Sequence, residues 1–316
     1  MNTVTLHMGG RQWATLIGLS LLWGGSFFFV DIAVRELSAL WTVALRVLIA
    51  GTVMAAFMAL TGRLNASVLP LTPKLAGEFL VMGFLSNALP FTLIAWGQIQ
   101  IASGLASMIN AATPIFTMIV AGLLLADERF TLLRILGAIV GAVGVGTMIG
   151  PSVLDAASTP LLPQLACLSA TLSYAFGTVF GRRFTNAGLD PQAIALGQLL
   201  GSTALLVPLV LVLEGPIDIA RLSEATVGAI GALSIASTAL AYLLFFRLLA
   251  EAGATNTVLV TLLVPVSATA LGVVFLAEPL IEYQLVGVTI VAFGLSLIDG
   301  RLWRRRAAAA GTPRTG

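Results

Sequence analysis

The chain has 316 residues, 58% of them hydrophobic and only 9% charged, with a formal net charge of +2 and a mean hydropathy of +1.03. Soluble domains carry about a quarter charged residues, so a water-wetted surface is excluded and a polytopic membrane protein is the class that remains. Cys167 is the single cysteine and His7 the single histidine, which excludes a disulfide framework and a Cys/His metal cluster; no metal or other cofactor is expected.

A bilayer admits helices or a closed barrel, because backbone groups in hydrocarbon must pair internally. Barrel strands alternate over about 10 residues. The apolar runs here reach about 20 without alternation, the length a spanning helix needs. Ten such runs are read, at 13–33, 40–61, 77–97, 101–125, 131–150, 161–181, 192–213, 226–247, 252–276 and 281–299. The longest loops, 62–76, 151–160 and 214–225, each contain proline. The first run is too long for the apolar region of a signal peptide and is expected to remain as a span.

With the N-terminus inside, the inner loops and tails hold thirteen cations: Arg11, Arg63, Lys74, Arg129, Arg134, Arg182, Arg183, Arg247, Arg301, Arg304, Arg305, Arg306 and Arg314. The outer loops hold Arg35 and Arg221, and Arg46 is left within a span. The positive-inside rule therefore places both termini in the cytoplasm, as an even number of spans requires. Residues 301–316 read as a basic, Ala-rich cytoplasmic tail at the membrane surface.

The stretch Asn110–Glu128, "NAATPIFTMIVAGLLLADE", returns as Val260–Glu278, "VTLLVPVSATALGVVFLAE". A shift of 151 aligns Trp23 with Tyr174, Asn87 with Thr238, Phe91 with Tyr242, Asn110 with Thr261 and Pro114 with Pro265. A shift of 150 aligns Glu128 with Glu278, Gly137 with Gly287 and Gly144 with Gly294. Five spans per copy is an odd number, so the second copy enters from the opposite side. The expected fold is all-α: ten transmembrane helices in two inverted five-helix repeats, 1–150 and 151–300, an architecture common among secondary transporters with a midplane site.

"LLWGGSFFF" in the first span, the duplicated Pro-to-Glu stretch, "LLADERFTLLRILGAIVGAVGV" and "FLAEPLIEYQLVGVTIVAFGL" together resemble the EamA family of the drug/metabolite transporter superfamily. The resemblance runs from about Thr15 to Leu297. It implies export of amino acids or small metabolites, and bacterial exporters of aromatic and neutral amino acids are similar in size and pattern. The implied place is the bacterial inner membrane, and the implied partners are a small-molecule substrate and lipid, with no nucleic acid and a monomeric chain.

The candidate cavity residues are Trp23, Asn87, Phe91, Trp96, Ser107, Asn110, Tyr174, Thr238, Tyr242 and Thr261. Ser103, Ser107, Asn110, Pro114 and Thr117 share one face of the fourth span. Such a stripe is either a cavity wall or an interhelical hydrogen-bond seam. Trp23 lies too deep for an interfacial belt and offers either a substrate surface or ordinary packing. Gly24, Gly25, Pro90, Pro114 and Pro265 are candidate hinges, with a static kink as the alternative. Gly137, Gly141, Gly144, Gly287 and Gly294 read as packing glycines, and Glu128 and Glu278 as helix-end anchors. Arg46 either snorkels outward, makes a structural hydrogen bond or holds a carboxylate; Gln198 occupies a comparable place in the second copy.

No Asp or Glu falls in the middle of a span, which disfavours proton-coupled export of lipophilic cations. One intramembrane arginine is a poor phosphate clamp, which disfavours sugar-phosphate carriers. A neutral zwitterion suits this interior better. An intramembrane enzyme would show a nucleophile with a base, a carboxylate pair or a metal cluster, and none is found. A passive pore shares the polar stripe; saturation and counterflow would distinguish it from a carrier.

Overall fold

A computed structural model describes residues 9–299 apart from 66–67, 70–71, 127, 129–130, 155–159 and 258. His7, Arg129, Trp303 and the tail at 301–316 lie outside the described residues. Ten helices run through the described residues: α1 (Gly10–Ala33), α2 (Ala39–Leu60), α3 (Pro73–Gln98), α4 (Ser103–Leu124), α5 (Leu132–Leu154), α6 (Leu161–Asn186), α7 (Pro191–Leu213), α8 (Glu224–Ala252), α9 (Val260–Leu276) and α10 (Glu282–Asp299). Eight are long and apolar enough to cross a membrane. The other two are α9, which has only 17 residues, and α6. The length of α6 is ample, but its sequence carries Gln164, Thr171, Ser173, Tyr174 and Thr178, most of which turn toward protein or a cavity.

The caps follow from local sequence. Ser38, Thr72, Asp190 and Ser223 each accept a backbone N–H of the first turn of the helix that follows, satisfying amides that a helix start leaves open. Pro73 and Pro191 occupy the first turn, where a missing N–H costs nothing. Apolar side chains such as Leu132, Ile139, Val212, Val274 and Phe275 stay exposed, the lipid-facing pattern of a protein whose solvent is hydrocarbon.

The two halves are interleaved. α1 packs along α9 and α6 along α4; α1 meets α8 and α6 meets α3; α2 crosses α7; α5 lies along α10. Each contact between halves maps onto another, or onto itself, when the halves are exchanged, which is the signature of a two-fold relation between the repeats. The α5–α10 seam shows why glycines sit there. A Cβ on Gly137 would lie 2.6 Å from Gly294 O, and one on Gly144 would lie 2.7 Å from Gly287 O. Backbone meets backbone, so only glycine permits this approach.

Gly24 belongs to a similar contact. Its Cβ position is filled by Ser267 and lies 2.8 Å from Ala268 N, while α1 runs unbroken on both sides. α4, expected as one run, is two helical pieces that end at Asn110 and resume at Thr113. Pro114 therefore opens a new piece rather than kinking a continuous helix. Pro265, its partner in sequence, sits inside an unbroken α9, so the two prolines are not equivalent in the fold.

Candidate functional site

Two π-helical turns organise the interior, at Phe84–Ala88 in α3 and Ile235–Leu240 in α8. They coincide under the repeat shift. In α3 the cause is local. Leu89 N–H bonds Phe84 O, five residues back. In that register the next carbonyl, Leu85 O, awaits an N–H that Pro90 lacks. Ser173 Oγ donates to it instead, at 2.7 Å. The equivalent of Pro90 is Ala241, so sequence gave no sign of the second turn. There Thr238 Oγ1 donates to Leu233 O at 2.8 Å.

These turns carry a polar network across the repeats. Asn87 Nδ2 donates to Ser202 Oγ at 3.0 Å, and Tyr242 OH donates to Asn87 Oδ1 at 3.1 Å. Arg46 Nε donates to Thr238 Oγ1 at 2.9 Å, and its guanidinium lies 3.7 Å from the centroid of the Phe91 ring. Arg46 is only 7% exposed. It does not snorkel outward.

Below this layer lies a cavity of about 620 Å³, within the range of roughly 300–1,000 Å³ usual for small-molecule sites. Trp23, Phe91, Ser107, Asn110, Tyr174, Thr238, Tyr242 and Thr261 line it. Two expected residues do not. Asn87 is fully buried in the network just described, so both ends of its amide face protein. Trp96 packs against the apolar core formed with α2 and α7. Five residues beyond Phe91, it lies about 140° round the helix, on a different face.

Sequence reading missed Ser26, Gln98, Thr178, Ser237 and Phe245, which also line the cavity, and it left Arg46 and Gln198 with open roles. Ser26 and Thr178 were findable, being three and four residues after Trp23 and Tyr174 on the same helix faces. Trp23 and Phe245 sit with ring centroids 5.4 Å apart, and Phe91 meets Tyr174 edge-on at 6.3 Å. Gln98 Oε1, Asn110 Oδ1 and Ser237 Oγ are buried without a hydrogen-bond partner. Acceptors and a donor are thus available to a polar guest.

The cavity is open toward one end of the bundle. Its lining continues to Arg182, Thr185, Leu189 and Pro191 at the α6–α7 turn, where Thr185 is exposed. No residue of 34–38, 99–102, 214–223 or 277–281 lines it. Those opposite loops are tied together. Glu278 accepts from Ser103 N at 2.6 Å and Gly104 N at 3.0 Å; Ser38 Oγ donates to Glu214 at 2.6 Å; Ser223 N donates to Glu36 at 2.9 Å. Glu128, the repeat partner of Glu278, pairs with Arg134 at 2.9 Å and Arg182 at 3.9 Å.

An all-helical membrane protein with interleaved duplicated halves around a one-sided cavity is a secondary transporter, not an enzyme. The sequence model of the EamA-like transporter family matches residues 12–150 and again 161–299, and the chain belongs to that family. It is 26% identical over 288 residues to an uncharacterized transporter of Archaeoglobus fulgidus, covering 91% of this chain and 98% of that protein. It is 26% identical over 286 residues to the uncharacterized inner membrane transporter YedA of Escherichia coli, covering 90% and 89%. It is 25% identical over 296 residues to a probable amino-acid metabolite efflux pump of Escherichia coli, covering 90% and 94%. A solved crystal structure superposes with a TM-score of 0.65 at 20% identity, covering 94% of this chain and all of that one, which shows a shared fold.

Proposed function

We propose that this transporter exports neutral or aromatic amino acids, or similar small metabolites, by alternating access around the cavity. The observation that carries the reading is the wall itself: aromatic faces of Trp23, Phe91, Tyr174 and Tyr242, with Ser107, Asn110 and Thr261 among them and no carboxylate in the lining. Apolar faces with a few placed polar groups suit a small zwitterion with an apolar side chain. The relation to a probable amino-acid metabolite efflux pump of Escherichia coli supports the same reading. The positive-inside count would place both termini, and the open end of the cavity, in the cytoplasm of a bacterial inner membrane. In that orientation the structure faces inward, ready to load an exported substrate. The tied loops at the far end argue for a carrier over a continuous pore. The breaks at Pro90 and Pro114 are the places where the helices would flex.

The test is counterflow into proteoliposomes, screening the standard amino acids. Saturable counterflow of a neutral or aromatic amino acid is expected, with loss of transport but not of insertion in Trp23→Ala and Asn110→Ala. Signals no higher than in protein-free liposomes for every amino acid would sink the substrate class. Non-saturable flux without counterflow would favour the pore.

A further inference from the structure

Arg46 is a buried cation without an anion. Only its Nε is hydrogen-bonded, to Thr238. Among the described residues no carboxylate lies within ion-pair distance, and the two Nη atoms have no hydrogen-bond partner. Phe91 covers one face of the guanidinium, which holds its plane but satisfies none of its remaining N–H groups. The cavity lining includes Arg46 and contains no Asp or Glu. The second arginine of the lining, Arg182, lies at the open end and pairs with Glu128.

A structural peg explains the Nε bond and nothing else. A guanidinium has a planar fork of donors that matches a carboxylate, and leaving such a charge unpaired in a dry interior is costly. Water can serve that fork while the cavity is wet. A guest that displaces the water must bring its own acceptor oxygens. Thr238 fixes the Nε edge from the π-helical turn of α8 and Phe91 fixes the plane from α3, so the Nη edge is presented at a set angle. Both supports lie in different repeats from each other, at the layer where the cavity ends.

We propose that Arg46 is the anchor for a carboxylate group of the transported molecule, so that the site takes small monocarboxylates with an apolar or aromatic body. This deepens the amino-acid reading given above and rests on it for the body of the substrate. The carboxylate itself belongs equally to an amino acid or to a simple organic acid. Asn110 Oδ1 and Gln98 Oε1, both buried and unpartnered, are the acceptors an ammonium would use in the first case.

The experiment is ligand-induced thermal stabilisation of the purified full chain in detergent with matched triads: an amino acid, its decarboxylated amine and its des-amino acid. Phenylalanine, phenethylamine and phenylpropionate form one; leucine, isoamylamine and isocaproate form another. Stabilisation by the carboxylate members and not by the amines is expected, with at least about tenfold weaker apparent affinity in Arg46→Gln. Arg46→Lys keeps the charge but not the fork and should fall between. Amines binding as tightly as their carboxylates, unchanged affinity in Arg46→Gln, or no response to any carboxylate would each overturn the proposal. The wild-type triads decide even where Arg46→Gln does not fold. Binding of des-amino acids but not of amino acids would leave Arg46 as the anchor and overturn the amino-acid reading. Binding of amino acids unaffected by Arg46→Gln would do the reverse.

Discussion

Tyr242, from the second repeat, donates its hydroxyl hydrogen to Asn87 Oδ1 of the first at 3.1 Å, and the same amide donates to Ser202 at 3.0 Å. One buried side chain thereby joins α3, α7 and α8 at the two π-helical turns. Asn87→Ala would strand the Tyr242 hydroxyl, at about 1–3 kcal/mol for an unsatisfied buried group, and would also remove the donor to Ser202, whose hydroxyl keeps its own bond to the Gln198 carbonyl. Tyr242→Phe removes a single hydrogen bond, about 0.5–1.5 kcal/mol. Thermal unfolding in detergent should therefore rank Asn87→Ala below Tyr242→Phe. A variant Asn87→Ala with wild-type stability and abolished transport would mean that Asn87 touches substrate after all.

The two glutamates that end the duplicated stretches also differ in strength. Glu278 accepts two amides at the start of α4, a capping interaction with about 0.5–2 kcal/mol at stake. Glu128 pairs with Arg134 and Arg182, whose side chains are 35% and 39% exposed, and such pairs contribute about 0–1 kcal/mol. Glu278→Ala should lower the unfolding temperature more than Glu128→Ala. Equal losses would show that Glu128 has a partner of comparable strength.

Why was so much of the fold legible and the site only partly so? Spans follow from hydrophobic run length, and inversion follows from repeat parity; both are local or arithmetic properties of the chain. The glycine seam was legible because close helix contact demands a residue type, not a neighbour. The π-helical turn at Ile235–Leu240 left no mark, since six residues in a wider register change no apolar period and Ala241 breaks no helix. Trp96 and Phe91 show the limit at the site. Both are aromatics on α3, five residues and about 140° apart on the helix, and it is tertiary packing that decides which of those two faces meets Arg46 and the cavity. Arg46 kept three readings because its partner, Thr238, lies 192 residues away.

The seam between α5 and α10 gives a sharp contrast within one helix. A methyl on Gly144 would lie 2.7 Å from both Gly287 O and Val291 N, which are backbone atoms that cannot turn aside, whereas nothing lies within 4 Å of one on Gly146. Gly144→Ala should push the helices apart and cost about 1–3 kcal/mol. Gly146→Ala should be neutral or stabilising by roughly 0.5–1 kcal/mol through helix propensity. The check is yield of monodisperse protein together with its unfolding temperature. Tolerance of alanine at both positions would show that the seam can open without loss.

Acid should loosen the tied end of the cavity at Glu36. Its carboxylate accepts the Ser223 amide at 2.9 Å, and that backbone hydrogen bond, with a further one from the Ser223 side chain, holds its pKa below the usual carboxylate value. A group depressed in the folded state contributes stability that is fully present above its unfolded pKa and is lost as pH falls through the folded one. At neutral pH the wild type should therefore be more stable than Glu36→Gln, which keeps an acceptor but no charge. The difference should shrink as pH falls through the usual carboxylate range and vanish below it, where both chains carry a neutral side chain. The residue is solvent-exposed, so the effect should also weaken with added salt. Unfolding temperatures of the two proteins, measured in parallel across that range, decide the point. A gap that persists unchanged in strong acid would mean that the glutamine variant is perturbed by packing rather than by charge, and that the Glu36–Ser223 tie is not a titrating contact.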